Sequence, residues 1–220
     1  MASTFEKRWH CARVIHARKN FTMSEALLER LEIAELVQSW ALFRDTGDWD
    51  KLRETVHADG TMTATWFHGT FEEFIVAVQD SWRKGSSSQH FQGGTVVEVL
   101  GTKAIAQTRM SILVRGKLDD VPVDVNCLGL FYDRVEKRNG QWRIAKRNVI
   151  YDKDTLTPVH VGDTVQLSSE RLLRFPEGYR HLAYLQSFNG GNVNPALPTA
   201  RSEASAKLKL ETQQWLRSNP

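Results

Sequence analysis

The chain has 220 residues, 41% of them hydrophobic, and a formal net charge of +3. This length favours one domain with appendages, and it is sufficient for a substantial core with an internal pocket. No apolar run approaches the roughly 20 residues that a membrane helix requires, so the sequence predicts no membrane partner.

The positive charge lies in residues 1–22, which hold five basic side chains and only Glu6 as an acidic one. The remaining 198 residues carry a net charge of −1 and no basic stripe, which argues against nucleic-acid binding. Residues 1–22 form a basic extension that could be an organellar targeting peptide, a disordered tail, or sequence upstream of a start at Met23. We expect a disordered tail.

The two cysteines, Cys11 and Cys127, lie in unlike sequence contexts. This argues against a structural disulfide and favours a reducing compartment, so we predict a cytoplasmic protein. No cysteine–histidine spacing resembles a zinc site, and the sequence implies neither a metal nor a cofactor.

The first half of the domain predicts three helices and one strand. A capping box at Thr22–Glu25 precedes apolar residues at helical spacing, which predicts a long first helix. Asp48 is placed to cap a short second helix, and residues 61–67 are typical of a strand. A second capping box at Thr70–Glu73 predicts a third helix.

From His90 the apolar pattern changes to a period of two, which indicates strands. Gly93 and Gly94 mark a bend, and Asn139-Gly140 is a strong hairpin signal. Consecutive strands with short connections pair most simply as an antiparallel meander. The predicted strands are residues 90–100, 103–117, 121–136 and 141–151.

Residues 161–220 predict a C-terminal extension that ends in an amphipathic helix at 202–216. Aromatic residues in its first part favour a lid over the mouth of the domain: Phe175, Tyr179, Tyr184 and Phe188. Helices on one face of a curved antiparallel sheet would make an α+β cone around an internal pocket.

The segment Trp40–Trp49 resembles the SnoaL-like branch of the nuclear-transport-factor-2-like superfamily, which includes scytalone dehydratase and hexachlorocyclohexane dehydrochlorinase. The pattern from Phe131-Tyr132-Asp133 to the hairpin at 139–144 resembles the last hairpin of the same superfamily. The resemblance covers about residues 24–160 and implies an α+β barrel over 23–160. The tyrosine pair that holds a water in scytalone dehydratase has no counterpart, since no tyrosine precedes Tyr132.

In that branch an aspartate after the first helix pairs with a histidine that opens the third strand, and the matching residues are Asp45 and His90. A neutral imidazole can accept a proton near pH 7, and a carboxylate on its other nitrogen fixes the tautomer and stabilises the imidazolium. A histidine at a strand start is more often a surface or core residue, and Asp45 could simply form a turn.

Further residues are candidates for substrate binding. The resemblance implies that Arg143 binds a leaving group or an oxyanion, although it could instead be a solvated arginine on an edge strand. The residues on the same strand parity are Ala145, Arg147, Val149 and Tyr151. Asn126 could hydrogen-bond a hydroxyl or carbonyl, and Arg109 is similarly placed, although either could belong to an exposed polar face. Three aromatic residues would line an apolar pocket or belong to ordinary core: Trp40, Trp66 and Tyr132.

The leading hypothesis is a cofactor-independent lyase or isomerase of the dehydratase type. His90, held by Asp45, would abstract a proton from a small apolar metabolite that can be cyclic. The alternative is a non-catalytic small-molecule-binding or subunit-assembly module, in which His90 and Asp45 would lie apart. In that superfamily the open face of the sheet usually pairs with another subunit, so the resemblance implies a homo-oligomer, either a dimer or a trimer.

Overall fold

The computed structural model describes residues 5–218, with side chains described for 25–86 and 88–218. The helices are α1 (Phe5–Thr46), α2 (Trp49–Glu54), α3 (Phe71–Arg83), α4 (Ser169–Leu172), α5 (Arg180–Phe188) and α6 (Glu203–Arg217). The strands are β1 (Val56–Ala64), β2 (Phe67–Thr70), β3 (Ser87–Leu100), β4 (Lys103–Leu118), β5 (Val121–Arg138) and β6 (Gln141–Pro158). Within this part of the chain, no helix is both long and apolar enough to cross a membrane.

The first helix begins earlier than the sequence predicted. α1 starts at Phe5 and passes through the predicted capping box at Thr22–Glu25 without a break. Residues 5–21 contain neither proline nor glycine, so no strong helix breaker lies ahead of that box. The predicted boundary between extension and domain at residues 22–23 stays a prediction.

The two predicted helix caps have different outcomes. Thr70 caps α3 as predicted: its hydroxyl accepts the Glu73 backbone N–H at 3.2 Å, and the Glu73 carboxylate accepts the Thr70 N–H at 2.8 Å. Asp48 does not cap α2, because its carboxylate instead accepts a hydrogen bond from Lys51 at 2.7 Å. α2 still packs on the core through the fully buried Leu52.

The six strands form one curved, open sheet in the order β2-β1-β6-β5-β4-β3. Strands β3 to β6 form the predicted antiparallel meander, and β1 adds to β6 in parallel. Asn139 and Gly140 join β5 to β6 with φ values of 52° and 80°, as a type I′ turn requires. The α+β class predicted from the sequence is confirmed.

Bulges decide which side chains face inward. Gly93 and Gly94 of β3 lie opposite the single residue Arg109 of β4, where the sequence predicted a bend. In β6, Ala145 has no partner in β5, because Val135 pairs with Ile144 and Arg134 pairs with Lys146. One extra residue in a strand moves every later side chain to the other face of the sheet.

The main core lies between the inner face of the sheet and helices α1, α2, α3 and α5. Helix α5 packs on β4, β5 and β6, and its Leu182 and Leu185 are buried in this core. Helix α6 packs on the outer face through Leu208 and Leu216. The inner face is therefore the side on which a substrate could be isolated from water.

Candidate active site

The end of α1 brings Asp45 to His90 at the start of β3. The Nδ1 atom of His90 lies 2.9 Å from Asp45 Oδ1, and the His90 backbone N–H donates to Oδ2 at 2.5 Å. Two further hydrogen bonds fasten α1 along β3: Gln38 Nε2 donates to the Gly93 carbonyl at 3.1 Å, and Gln92 Nε2 donates to the Val37 carbonyl at 3.2 Å. The two Asp45 oxygens therefore both bind His90, and the two glutamine bonds hold α1 against β3.

The surroundings of the pair favour a neutral imidazole on an ionised carboxylate. Burial lowers the pKa of His90, whose side chain is 7% exposed, and Asp45 only partly offsets this. Burial alone would raise the pKa of Asp45, but its hydrogen bond with His90 and the nearby positive charges bring that pKa below its ordinary value.

An ionised carboxylate can only accept hydrogen bonds, so Nδ1 of His90 must carry the proton. Nε2 then presents a lone pair. No residue among those with described side chains forms a hydrogen bond to Nε2. The arrangement is that of a general base oriented by a carboxylate.

Aromatic rings enclose the imidazole. Trp40 is fully buried, and its ring centroid lies 5.9 Å from those of His90 and Phe74 and 5.7 Å from that of Phe131. Phe131 lies 5.9 Å from His90, and Trp66 continues the cluster at 5.7 Å from Phe74. The surroundings of His90 are therefore apolar, and two of the predicted aromatic residues, Trp40 and Trp66, belong to them.

A second charged pair lies against the same rings. Arg147 and Asp133 are fully buried, and Nε and Nη2 of the guanidinium donate to the two carboxylate oxygens at 2.8 and 2.7 Å. The Cζ atom of Arg147 is 4.1 Å from the ring centroids of both Trp40 and Phe131.

The third guanidinium nitrogen, Nη1 of Arg147, is buried and has no hydrogen-bond partner among the described residues. An unpaired buried donor costs about 1–3 kcal/mol, and more when charged, so it marks a group that a ligand could satisfy. The positive charge of Arg147 also lowers the pKa of His90, which indicates that the two groups are close.

The structure does not bring Arg143 to this site. Its guanidinium donates to Gln141 at 3.0 Å and borders a surface groove beside Glu32 and Lys51. Arg143 and Arg147 share sequence parity, but the bulge at Ala145 lies between them and places them on opposite faces. Arg147 thus occupies the position for which the sequence suggested Arg143.

Three other predicted substrate-binding residues lie on the outer face, so the sheet separates them from His90. Asn126 accepts a hydrogen bond from Ser111, and Tyr132 is buried beneath α6. Arg109 lines an exposed groove of about 450 Å³ on the same face. The residues beside them that face inward include Val125, Cys127 and Met110, which belong to the apolar core. A period-two pattern alone does not tell which of the two alternating sets faces inward.

The comparison with known proteins assigns the family. A model of the SnoaL-like domain matches residues 25–148. The chain belongs to the SnoaL-like family. Pea pathogenicity protein 2 of Fusarium vanettenii is 30% identical over 164 residues, which is 72% of this chain and 70% of that protein.

Two solved structures share the fold of this chain. A candidate scytalone dehydratase of Novosphingobium aromaticivorans aligns with a TM-score of 0.50 at 17% identity, over 65% of this chain and 99% of that one. A hexachlorocyclohexane dehydrochlorinase aligns with a TM-score of 0.52 at 15% identity, over 66% and 97%. At these identities the likeness shows the fold alone.

Beyond the SnoaL-like match, the C-terminal segment packs on the inner side of the sheet. The ring of Tyr179 lies 4.8 Å from that of Tyr151, and both side chains are buried. Asp154 on β6 accepts hydrogen bonds from His181 Nδ1 and from the Leu182 backbone N–H, each at 2.8 Å. These contacts hold α5 on the core, and a lid function of the segment stays a prediction.

Proposed function

We propose that this SnoaL-like protein is a cofactor-independent lyase or isomerase that uses His90 as its base. The observation that carries the proposal is the 2.9 Å contact between His90 Nδ1 and Asp45 Oδ1, with Nε2 free of protein partners in the described part of the chain. The names of the two structural neighbours, a dehydratase and a dehydrochlorinase, both denote eliminations.

In the proposed step, Nε2 of His90 takes a proton from a substrate carbon. The C–H electron pair then forms a carbon–carbon double bond, either by expelling a leaving group with its bonding pair or by moving charge onto a carbonyl oxygen. Nη1 of Arg147 would donate to that leaving group or oxygen. Asp45 stabilises the imidazolium, which returns the proton to the leaving group, to another carbon, or to water.

The side chains around the base suggest an apolar substrate of metabolite size. Trp40, Phe74 and Phe131 offer only ring surfaces next to the imidazole, so polar recognition would rest on Arg147. Such a site favours a compound that has one hydrogen-bond acceptor close to an acidic C–H bond.

The alternative of a non-catalytic binding or assembly module required His90 and Asp45 to lie apart in an interior without polar groups. The contact between them and the buried Arg147–Asp133 pair favour the enzyme. Assembly into a dimer or trimer and a cytoplasmic location stay predictions.

Proton abstraction can be tested before the physiological substrate is known. In D₂O, the protein is incubated with a panel of small cyclic ketones and β-hydroxyketones, and ¹H NMR follows the loss of α-proton signals and the appearance of unsaturated products. We expect exchange or elimination with wild-type protein and none above background with His90→Gln. Panel compounds that raise the melting temperature, yet never exchange a proton, would instead favour the binding module.

A further inference from the structure

Arg44 connects the Asp45 carboxylate to the backbone of β3. Its Nη1 donates to Asp45 Oδ1 at 2.9 Å and to the Ser88 carbonyl at 3.1 Å. The side chain is only 11% exposed, and its Nε is buried without a hydrogen-bond partner among the described residues. The guanidinium is therefore held in place by these Nη1 contacts rather than by a fork to one carboxylate.

One carboxylate oxygen binds both Arg44 and His90. Asp45 Oδ1 lies 2.9 Å from Arg44 Nη1 and 2.9 Å from His90 Nδ1. Negative charge that Arg44 neutralises is not available to stabilise a protonated imidazole. The same bond prevents the carboxylate from turning away from the ring, since Arg44 is anchored at Ser88, two residues before His90.

We propose that Arg44 is a positioning residue that orients the Asp45 carboxylate and limits how readily His90 takes up a proton. This inference rests on the proposed function of the pair, although its test does not require turnover. Other charged groups facing His90 are Asp45 itself on α1 and Arg147 on β6, whose charge is in part balanced by Asp133 on β5.

The proton affinity of His90 is the quantity that a merely structural arginine would not change. The folded-state pKa of His90 lies below its ordinary value of 6.5. Just below pH 6.5, His90 therefore binds a proton in the unfolded chain but not in the folded protein. The contribution of His90 to the free energy of unfolding is therefore fully present above about pH 6.5 and is lost as the pH drops through that value. Removing the Arg44 charge should raise the folded-state pKa and lessen this loss.

The experiment compares Arg44→Met and Arg44→Lys with the parent protein. NMR of ¹³C-labelled histidine reports the His90 titration midpoint, and we expect Arg44→Met to raise it by about half a pH unit or more. Arg44→Lys keeps the charge, so its midpoint should stay closer to the parent's. The control is Arg53→Met, since Arg53 pairs with the exposed Glu72 on the surface and should leave the midpoint unchanged.

Where His90 stays neutral until the protein unfolds, proton uptake on unfolding, measured just above the pH of acid unfolding, replaces the midpoint, and we expect less uptake for Arg44→Met. An Arg44→Met protein with the parent's midpoint, or the parent's uptake, would overturn the inference and leave Arg44 as a tether between helix and strand. A shift without any turnover would preserve the inference and count against the proposed enzyme instead.

Discussion

Replacing His90 by glutamine is expected to lower turnover by about 10²- to 10⁴-fold, the contribution of a positioned general base. Glutamine can still contact Asp45, but it cannot accept a proton near pH 7. Asp45→Asn should cause a loss of similar size, because an amide would no longer fix the Nδ1–H tautomer or stabilise the imidazolium. Steady-state rates on whichever compound shows proton exchange provide the measurement.

The double variant His90→Gln/Asp45→Asn should be about as slow as the slower single variant, since the two residues act as one unit. His57→Gln is the matched control: His57 is also buried, and its Nε2 lies 3.0 Å from the Glu136 carbonyl, away from the pair. Rates that fall equally for His57→Gln would trace the effect to loss of a buried histidine. Single losses that multiply in the double variant would contradict a shared role.

Arg147→Met is expected to destabilise the fold by about 3–5 kcal/mol. The substitution leaves the Asp133 carboxylate fully buried without its bidentate partner. It also removes the guanidinium from the faces of Trp40 and Phe131. Urea unfolding at neutral pH, followed by tryptophan fluorescence, gives the free energy of unfolding.

The exposed pair Arg115–Asp124 is the control for that measurement. It has the same bidentate geometry between neighbouring strands, at 2.8 and 2.7 Å, but its side chains are 57% and 39% exposed. Arg115→Met should therefore cost no more than about 1 kcal/mol. Equal losses for the two arginines would show that burial is not the reason for the effect.

The double variant Asp133→Leu/Arg147→Met separates stability from chemistry. Replacing a buried ion pair by apolar residues of similar volume is often neutral, so much of the stability should return. The donor at Nη1 does not return, and we expect turnover to stay low. A stable double variant with parental turnover would exclude Arg147 from the reaction.

The sequence was most informative where local rules suffice. The period of two placed all four strands of the meander, the Thr70–Glu73 capping box placed α3, and Asn139-Gly140 placed the last hairpin. The contact of Asp45 with His90 spans 45 positions, and no local pattern could place it. It was anticipated from the family resemblance.

Sequence reasoning was least informative about which side of the sheet a residue occupies. Strand parity would put Arg143 and Arg147 together, but the unpaired Ala145 reverses the faces between them. That bulge depends on the partner strand, so β6 alone does not reveal it. Strand alternation also leaves open which of two neighbours faces inward: Phe131 faces the imidazole, whereas Tyr132 lies beneath α6.

The protonation state of His90 in the folded protein tests the central claim most directly. Long-range ¹H–¹⁵N NMR of histidine-labelled protein at pH 7 distinguishes the two neutral tautomers from the imidazolium, and His90→Gln identifies the resonance. We predict a neutral ring with the proton on Nδ1 and a free lone pair on Nε2, as the Asp45 contact requires. An imidazolium, or a neutral ring protonated on Nε2, would contradict the assignment of His90 as the base.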